Sequence, residues 1–250
     1  MKIALIGFGQ MGQLIAKLAK KRNIEVVSII DPNNKKYSDK IDETNIKKAD
    51  VCIDFSVPEA IVSNIEILTA MEKNIVVGTT GWNDKMGYIR DIVTKKKTGL
   101  VYASNFSLGV NIFFKMIEYS SKLMDKIPDY DPYGLEMHHD KKVDSPSGTA
   151  KKLSSIVLSN IERKNKPQFN RINRKVEKDE FHFASIRAGN IPGIHKIAFD
   201  SAADTIELKH TARSREGFAL GALKAANWLQ NKSGFYNFHD IFEEILNEQN

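Results

Sequence analysis

The 250 residues contain a single cysteine, Cys52, so no intrachain disulfide can form and cysteine supplies no metal or redox site. Set in an apolar run, Cys52 reads as a small buried hydrophobe. No stretch approaches the ~18 uninterrupted apolar residues of a membrane-crossing helix. The start, MKIALIG, enters a strand-like run without a signal-peptide pattern, so the expected compartment is cytoplasmic and no membrane partner is expected. Internal repeats, heptad runs and low-complexity tracts are also missing. Arginine is scarce: of the 37 basic residues only eight are arginines, scattered along the chain, while the lysines cluster as in Lys20-Lys21-Arg22 and Lys95-Lys96-Lys97. Direct base readout leans on arginine. The formal charge of +6 therefore suits a solvated basic surface or a field that attracts a small dianion, and no nucleic-acid partner is expected. What is present, 42% hydrophobic and 27% charged residues, suits a globular chain of one large or two modest domains.

The first hundred residues alternate short Ile/Val-rich runs with amphipathic stretches, the pattern of βαβ units. Strands are expected at 2–6, 25–30, 51–55, 75–77 and 100–103, and helices at 11–20, 58–72 and 83–96. The near-continuous apolar strands suit a doubly wound parallel sheet covered on both faces. Ser56, Pro58 and Glu59 look like a helix start, with Ser56 as the cap. From about Ser104 the pattern changes to a helix at 110–124, a turn at 125–132 and a strand at 133–138. A capped helix at 147–161, a polar, mobile loop around 165–178 and alternating strands at 181–187, 195–201 and 205–210 follow. Their period-two alternation predicts an open mixed sheet in a central α+β domain. The tail returns to helix at 216–230, with an apolar stripe of Phe218, Leu220, Ala222, Ala225 and Leu229. The fold class is α/β, with residues 1–106 and 212–250 forming a dinucleotide-binding domain and 107–211 a second domain for substrate and oligomerisation.

Gly7-Phe8-Gly9-Gln10-Met11-Gly12 matches G-x-G-x-x-G directly after a predicted strand and at the opening of a predicted helix. Such glycines permit a tight turn and close approach of a pyrophosphate to the helix N-terminus. Asp31, nineteen residues after Gly12, ends the second strand, where a carboxylate accepts ribose hydroxyls and repels a 2′-phosphate. Lys35 and Lys36 keep pairing with such a phosphate open. The loops Phe55-Ser56-Val57-Pro58 and Gly78-Thr79-Thr80-Gly81-Trp82 fall after further strands of the same sheet, where ligands bind in open α/β folds, and would border the ribose and nicotinamide. By itself, the run from Gly78 to Gly81 is equally well a plain turn.

The densest chemistry lies in Glu136-Met137-His138-His139-Asp140-Lys141-Lys142-Val143-Asp144-Ser145-Pro146-Ser147-Gly148-Thr149-Ala150. Proton donors stand here beside a capped helix start. The backbone N–H groups of Ser147, Gly148 and Thr149 and the Thr149 hydroxyl suit a carboxylate, Lys142 supplies countercharge, and His138 or His139 suits a general acid. A solvated loop before a capped helix is the plainer alternative. No metal is expected, because adjacent strand histidines point to opposite faces and no third ligand stands at suitable spacing.

The order GFGQMG, DFSVPEA, VGTTGW, ASNFSLGVN, EMHHDKKVDSPSGTA and IRAGNIPGIH resembles the 4-hydroxy-tetrahydrodipicolinate reductase (dihydrodipicolinate reductase) family over nearly the whole chain. The resemblance implies reduction, by NADH or NADPH, of a cyclic imine bearing two carboxylates in the diaminopimelate route to lysine. It implies His138 as the catalytic acid and Lys142 as the second catalytic residue. His139, Gly148 and Thr149 would bind the substrate. Gly7 through Gly12, Asp31, Gly78, Thr79, Thr80, Ala103, Ser104, Asn105 and Phe106 would line the cofactor. It also implies a Rossmann domain completed by the C-terminal helix and a homotetramer assembled through the open sheet of the central domain. Members often carry Arg where Gln10 stands, and Arg where Pro32 follows the acid. Both departures predict NADH at least as good as NADPH. Another two-domain dehydrogenase of amino or imino acids would share the N-terminal half but leaves the HH-x-x-K and PSGT block unexplained. A regulator that binds NAD(H) without chemistry would want a further reading module, which the second half lacks.

Overall fold

The computed structural model describes residues 1–247, which divide into two compact units, 1–108 with 215 onward, and 109–214. The first unit begins with β1 (Lys2–Ile6), α1 (Gln10–Lys21), β2 (Glu25–Ile30), α2 (Glu43–Ile46), β3 (Val51–Asp54), α3 (Pro58–Ala70), β4 (Asn74–Val77), α4 (Met86–Lys96) and β5 (Gly99–Tyr102). The second holds α5 (Leu108–Met124), β6 (Asp131–His138), α6 (Gly148–Asn160), β7 (Lys166–Gln168), β8 (Glu180–Arg187), β9 (Ile194–Asp200) and β10 (Thr205–Thr211). The chain then returns to the first unit with α7 (Glu216–Leu229), β11 (Gly234–Asn237) and α8 (Phe242–Asn247).

In the first unit six parallel strands run in the order β11-β5-β4-β3-β1-β2. Most of their Ile and Val side chains are buried, those of the edge strand β2 only in part, because both faces are covered: α1, α7 and α8 on one, α2, α3 and α4 on the other. Cys52 is in this core, and burial pushes its thiol up to about 12, so it stays a neutral packing residue. The return helix α7 is seated by its small residues. A Cβ at Gly221 would meet the Phe106 carbonyl at 1.8 Å, so only glycine lets α7 approach so closely. The sheet is completed not by the helix alone but also by β11, an unforeseen sixth strand beside β5. A four-residue strand containing glycine has too little pattern to signal itself; its partner β5 decides its state.

The second unit is a five-stranded mixed sheet, β10-β9-β6-β8-β7, with β6, β8 and β7 parallel and β9 and β10 antiparallel. Helices α5 and α6 pack on one face over Phe181, Phe183, Ile197 and Phe199. Two local expectations need correction. The polar stretch at 165–178 contains strand β7, and Arg174 clamps Glu180 through two hydrogen bonds of 2.9 and 2.5 Å. Ser56 does not cap α3. The cap position is Val57, while the Ser56 N–H donates to Asp54 Oδ1 at 2.8 Å and its Oγ accepts from Asn64 at 3.3 Å. Pro58 at the first position lacks an N–H and leaves less for a cap to satisfy.

Candidate active site

In the first unit the chain crosses from β2 back past β1 to β3, so the carboxyl ends of β1 and β3 border the crevice where such sheets bind ligands. A groove of about 380 Å³ opens there, lined by Gly9, Gln10, Met11, Phe55, Ser56, Pro58, Gly78, Thr79 and Thr80. Its floor depends on glycine. Gly7 has φ +82°, and a Cβ there would lie 2.6 Å from the Phe55 carbonyl oxygen; at Gly12 it would lie 2.3 Å from the Gly7 carbonyl oxygen. At Gly9, the cap position of α1, nothing lies within 4 Å, so an anion can reach the first N–H groups of the helix.

Asp31 is tied to this loop more closely than the sequence suggests. Its Oδ2 accepts from Phe8 N at 2.8 Å and its Oδ1 from Asn33 N at 2.9 Å, so the carboxylate both shapes the glycine turn and sits beside it as a fixed anion. The Thr79 hydroxyl donates to the Ser56 carbonyl at 3.0 Å and so joins two loops of the groove. Beneath them, buried Asp54 accepts from Ser56 N and from Asn64 Nδ2 at 2.8 Å each. Burial pushes its pKa up, against the lowering effect of those hydrogen bonds. Of the residues after β5, Ala103 and Phe106 are buried and Ser104 is exposed. The Phe106 ring packs on Phe238 at 4.8 Å, so its side chain serves the core and only its backbone is left for a ligand. Ser56 and Pro58 line the groove, as expected of the loop after β3, while Asp54, which supports that loop from beneath, was not singled out. The DFSVPEA run at a strand end was its signal.

In the second unit, β6 alternates so that Pro132, Gly134, Glu136 and His138 share the buried face. The strand register sets the rest: Glu136 lies opposite Ser185 of β8 on one side and His195 of β9 on the other, and His138 lies opposite Arg187. Five residues converge on the fully buried Glu136. Its Oε1 accepts from Ser147 N at 2.9 Å, Ser185 Oγ at 2.8 Å and Arg187 Nη2 at 2.8 Å. Its Oε2 accepts from Ser147 Oγ and lies 3.4 Å from His195 Nε2 and 3.5 Å from His138 Nδ1. Burial alone would push the Glu136 carboxyl up, but the hydrogen bonds from His195, Ser147 and Arg187 outweigh it and hold the group well below the usual carboxylate range. His138 goes the other way. Burial first, then His195, Lys142 and Arg187, push it down to about 4, with Glu136 opposing.

His138, His139 and Lys142 follow in one turn-rich segment, and Gly148 and Thr149 open α6. A Cβ at Gly148 would have nothing within 4 Å, so this helix start is open to a ligand. Ser147 departs from expectation. It is 3% exposed, and both its N–H and its hydroxyl are given to Glu136, so it anchors the helix start rather than offering itself to a carboxylate. Lys142 pairs with Asp144 at 2.6 Å, whose carboxyl is lowered by that hydrogen bond; the lysine must exchange this partner to meet a ligand. Glu136, His138 and His195 offer ligand atoms within 4.8 Å of one another, a third-ligand arrangement that sequence spacing concealed. The carboxylate, however, is already taken by Arg187 and two serines, and a metal ion would face the guanidinium. The cluster is therefore a hydrogen-bonded one. Glu136, Ser185, Arg187 and His195 escaped the sequence reading as site residues. Glu136 had a signal in standing two residues before His138 on the same strand face, and Arg187 and His195 in belonging to the IRAGNIPGIH run; Ser185 had none.

Residues 1–106 match the family model described as dihydrodipicolinate reductase, N-terminus, and 109–242 match dihydrodipicolinate reductase, C-terminus. A protein of Christiangramia forsetii named 4-hydroxy-tetrahydrodipicolinate reductase is 38% identical over 246 residues, covering 98% of this chain and 99% of its own. Its namesake from Staphylococcus aureus is 36% identical and covers 96% of this chain and 100% of its own. The solved structure of a dipicolinate-bound dihydrodipicolinate reductase from Paenisporosarcina superposes with a TM-score of 0.77 at 22% identity, covering 96% of this chain and 99% of its own. An amine dehydrogenase from Mycobacterium smegmatis, at a TM-score of 0.63 and 8% identity over 96% of this chain and 95% of its own, shares the fold alone. With the two family models matching 1–106 and 109–242 and relatives this similar over their full lengths, the chain belongs to the dihydrodipicolinate reductase family.

Proposed function

We propose that the chain catalyses the NAD(P)H-dependent reduction of 4-hydroxy-tetrahydrodipicolinate to tetrahydrodipicolinate, a step in the diaminopimelate route to lysine. The observation that carries this reading is the E-x-H-H-x-x-K-x-D-x-P-S-G-T block, in which an imidazole, a lysine and an open helix start stand within one strand end and the turn after it. A bound reduced nicotinamide dinucleotide supplies the hydride. Gly7, Gly9 and Gly12 shape the turn that would hold its diphosphate at the start of α1, with Phe8, Gln10, Met11, Phe55, Gly78, Thr79 and Thr80 around it and the backbone of 103–106 beyond.

The N–H groups of Gly148 and Thr149 and the His139 side chain would hold the substrate carboxylates, and Lys142 would leave Asp144 to pair with one of them. The 4-hydroxyl group leaves as water to give the conjugated imine; as hydride adds and negative charge builds through that system, His138 transfers a proton to it, an effect typically of about 10²–10⁴-fold. With its pKa near 4 in the ligand-free site, His138 acquires that proton as the dianion arrives. His138→Gln should therefore lower kcat far more than it raises the substrate KM. NADH is expected to serve at least as well as NADPH, because the Asp31 carboxylate lies fixed beside the glycine loop while Gln10 and Pro32 supply no cation. Assembly as a homotetramer through the second sheet is supported by the face opposite α5 and α6, which carries Leu135, Met137 and Ile186. Sedimentation velocity tests that assembly.

The decisive assay follows loss of reduced-nicotinamide absorbance on substrate generated in place from pyruvate and aspartate semialdehyde, with NADH and NADPH in separate runs. Rapid turnover supports the reaction, and the ratio of the two rates tests Asp31 and Pro32. No turnover with either, from protein that binds NADH, removes the reductase reading and leaves a dinucleotide-binding protein.

A further inference from the structure

Glu136 is a strand residue on the inward face of the central strand of its sheet, where a valine or leucine would be the inexpensive choice. A buried carboxylate is retained there although exchange for an apolar residue is often neutral or stabilising in proteins. The groups it engages are not random core atoms. They are Ser147, which begins α6, Arg187 and Ser185 from β8, His195 from β9, and the Nδ1 edge of His138. We propose that Glu136 is a positioning residue for the reduction, holding the His138 imidazole by its Nδ1 edge and the start of α6 through Ser147, so that the proton-transfer atom and the anion-binding N–H groups share one rigid frame. This rests on the reductase reading of the same site.

Two further observations agree. His138 Nδ1 is buried and has no hydrogen-bond partner; the Glu136 carboxylate oxygen at 3.5 Å is the anion it faces, close enough to tighten when the ring is charged. The opposite edge of the ring is left open by a glycine. Gly193, at φ +138°, lies so that a Cβ would stand 3.3 Å from His138 Nε2, and any side chain there would cover that nitrogen. A carboxylate on one nitrogen and a bare backbone beside the other is the arrangement that fixes a tautomer, with hydrogen on Nδ1, and frees Nε2 for proton exchange. The charged and titratable groups facing the ring are Glu136 on its own strand, His195 on β9, Arg187 on β8 and Lys142 in the following loop.

The test has two arms. On ligand-free protein, 15N-detected NMR of the imidazoles should find neutral His138 as the Nδ1–H tautomer in the native chain and displaced from it in Glu136→Gln. An Nε2–H tautomer in the native chain, or no change in the variant, overturns the proposal whatever the substrate proves to be. In steady-state kinetics with NADH and the imine, Glu136→Gln should lower kcat at least about tenfold, the lower end of the loss seen when a carboxylate partner of a functional imidazole is removed. The alkaline limb of kcat should also move to lower pH, because the imidazolium loses its counter-ion, while the NADH KM is unchanged. Glu136→Asp keeps the charge and should recover the limb position in part, which guards against a Gln variant that folds poorly. A loss of kcat equal at every pH, with the limb unmoved in both variants, would reduce Glu136 to a structural support. Absence of turnover in the native chain would instead overturn the reductase reading, leaving the NMR arm to decide the positioning.

Discussion

Two glycines of the same loop should fail in different ways when each becomes alanine. At Gly12 the added Cβ would stand 2.3 Å from the Gly7 carbonyl oxygen, and the clash is with backbone rather than with a side chain that can rotate away. Ordinary contact begins near 3.4 Å, so the start of α1 must move about 1 Å from the turn, at an overpacking cost of about 1–3 kcal/mol. At Gly9 nothing lies within 4 Å, and its φ of −71° and ψ of −158° are extended values that any residue adopts. Alanine there loses at most about 1 kcal/mol as a poorer cap. Its methyl group, however, projects into the space in which a diphosphate must meet the helix N–H groups. A loss of about tenfold in NADH affinity corresponds to about 1.4 kcal/mol. Thermal unfolding and calorimetric titration of NADH on both variants separate the two effects: Gly12→Ala should lose stability and affinity, Gly9→Ala affinity with little loss of stability. Equal destabilisation of the two, or native NADH affinity in Gly9→Ala, would refute the reasoning.

Acid should weaken the second unit early. His138 has a folded pKa near 4 against an ordinary 6.5, so the unfolded chain binds more protons between these values; the associated stability is full above 6.5 and is lost as pH falls towards 4, up to about 3 kcal/mol. Burial lowers His210 in the same direction, and Glu136, depressed as a carboxylate, adds a loss that begins below about 4.5. Urea midpoints measured from pH 8 to pH 4.5 should fall through this window and fall less in His138→Gln. Asp31→Ala should raise the NADH KM with little change in kcat, and because it also removes the acceptor of Phe8 N it should lower stability by about 1 kcal/mol; an unchanged NADH KM counts against the ribose role. Asp54→Ala strands Ser56 N and Asn64 Nδ2 beside the groove and should cost about 2–3 kcal/mol by denaturant unfolding, with weaker NADH binding, whereas an unaltered unfolding curve would show that water replaces the carboxylate.

Composition and periodicity carried most of the fold. The five Ile/Val runs of the first hundred residues are five strands of one parallel sheet, because a strand buried on both faces needs an apolar residue at nearly every position. Polar chemistry packed into short motifs was equally legible: the glycines that shape the groove, and the histidines and lysine before a helix start. Local pattern failed where a segment borrows its state from a distant partner. β11 is a strand because β5 offers it an edge, and β7 because β8 does, although neither four nor three residues show a period. Ser56, correctly placed beside a helix start, gave its N–H to Asp54 instead of capping.

The sequence by itself determined the two kinds of sheet, the glycine turn before α1 and the identity of the groups beside α6. Each is encoded by neighbours within a few residues, through backbone freedom, hydrophobic period or capping chemistry. Only the tertiary structure decided what surrounds His138. Ser185, Arg187 and His195 lie 47, 49 and 57 residues beyond it, and they meet Glu136 and His138 through the pairing of β6 with β8 on one side and β9 on the other. A one-residue slip in either pairing would turn those side chains to the opposite face. Register is set by packing of the whole sheet against α5 and α6, so the residue that gathers the catalytic groups, Glu136, is visible as a letter in the sequence and as a hub only in the fold.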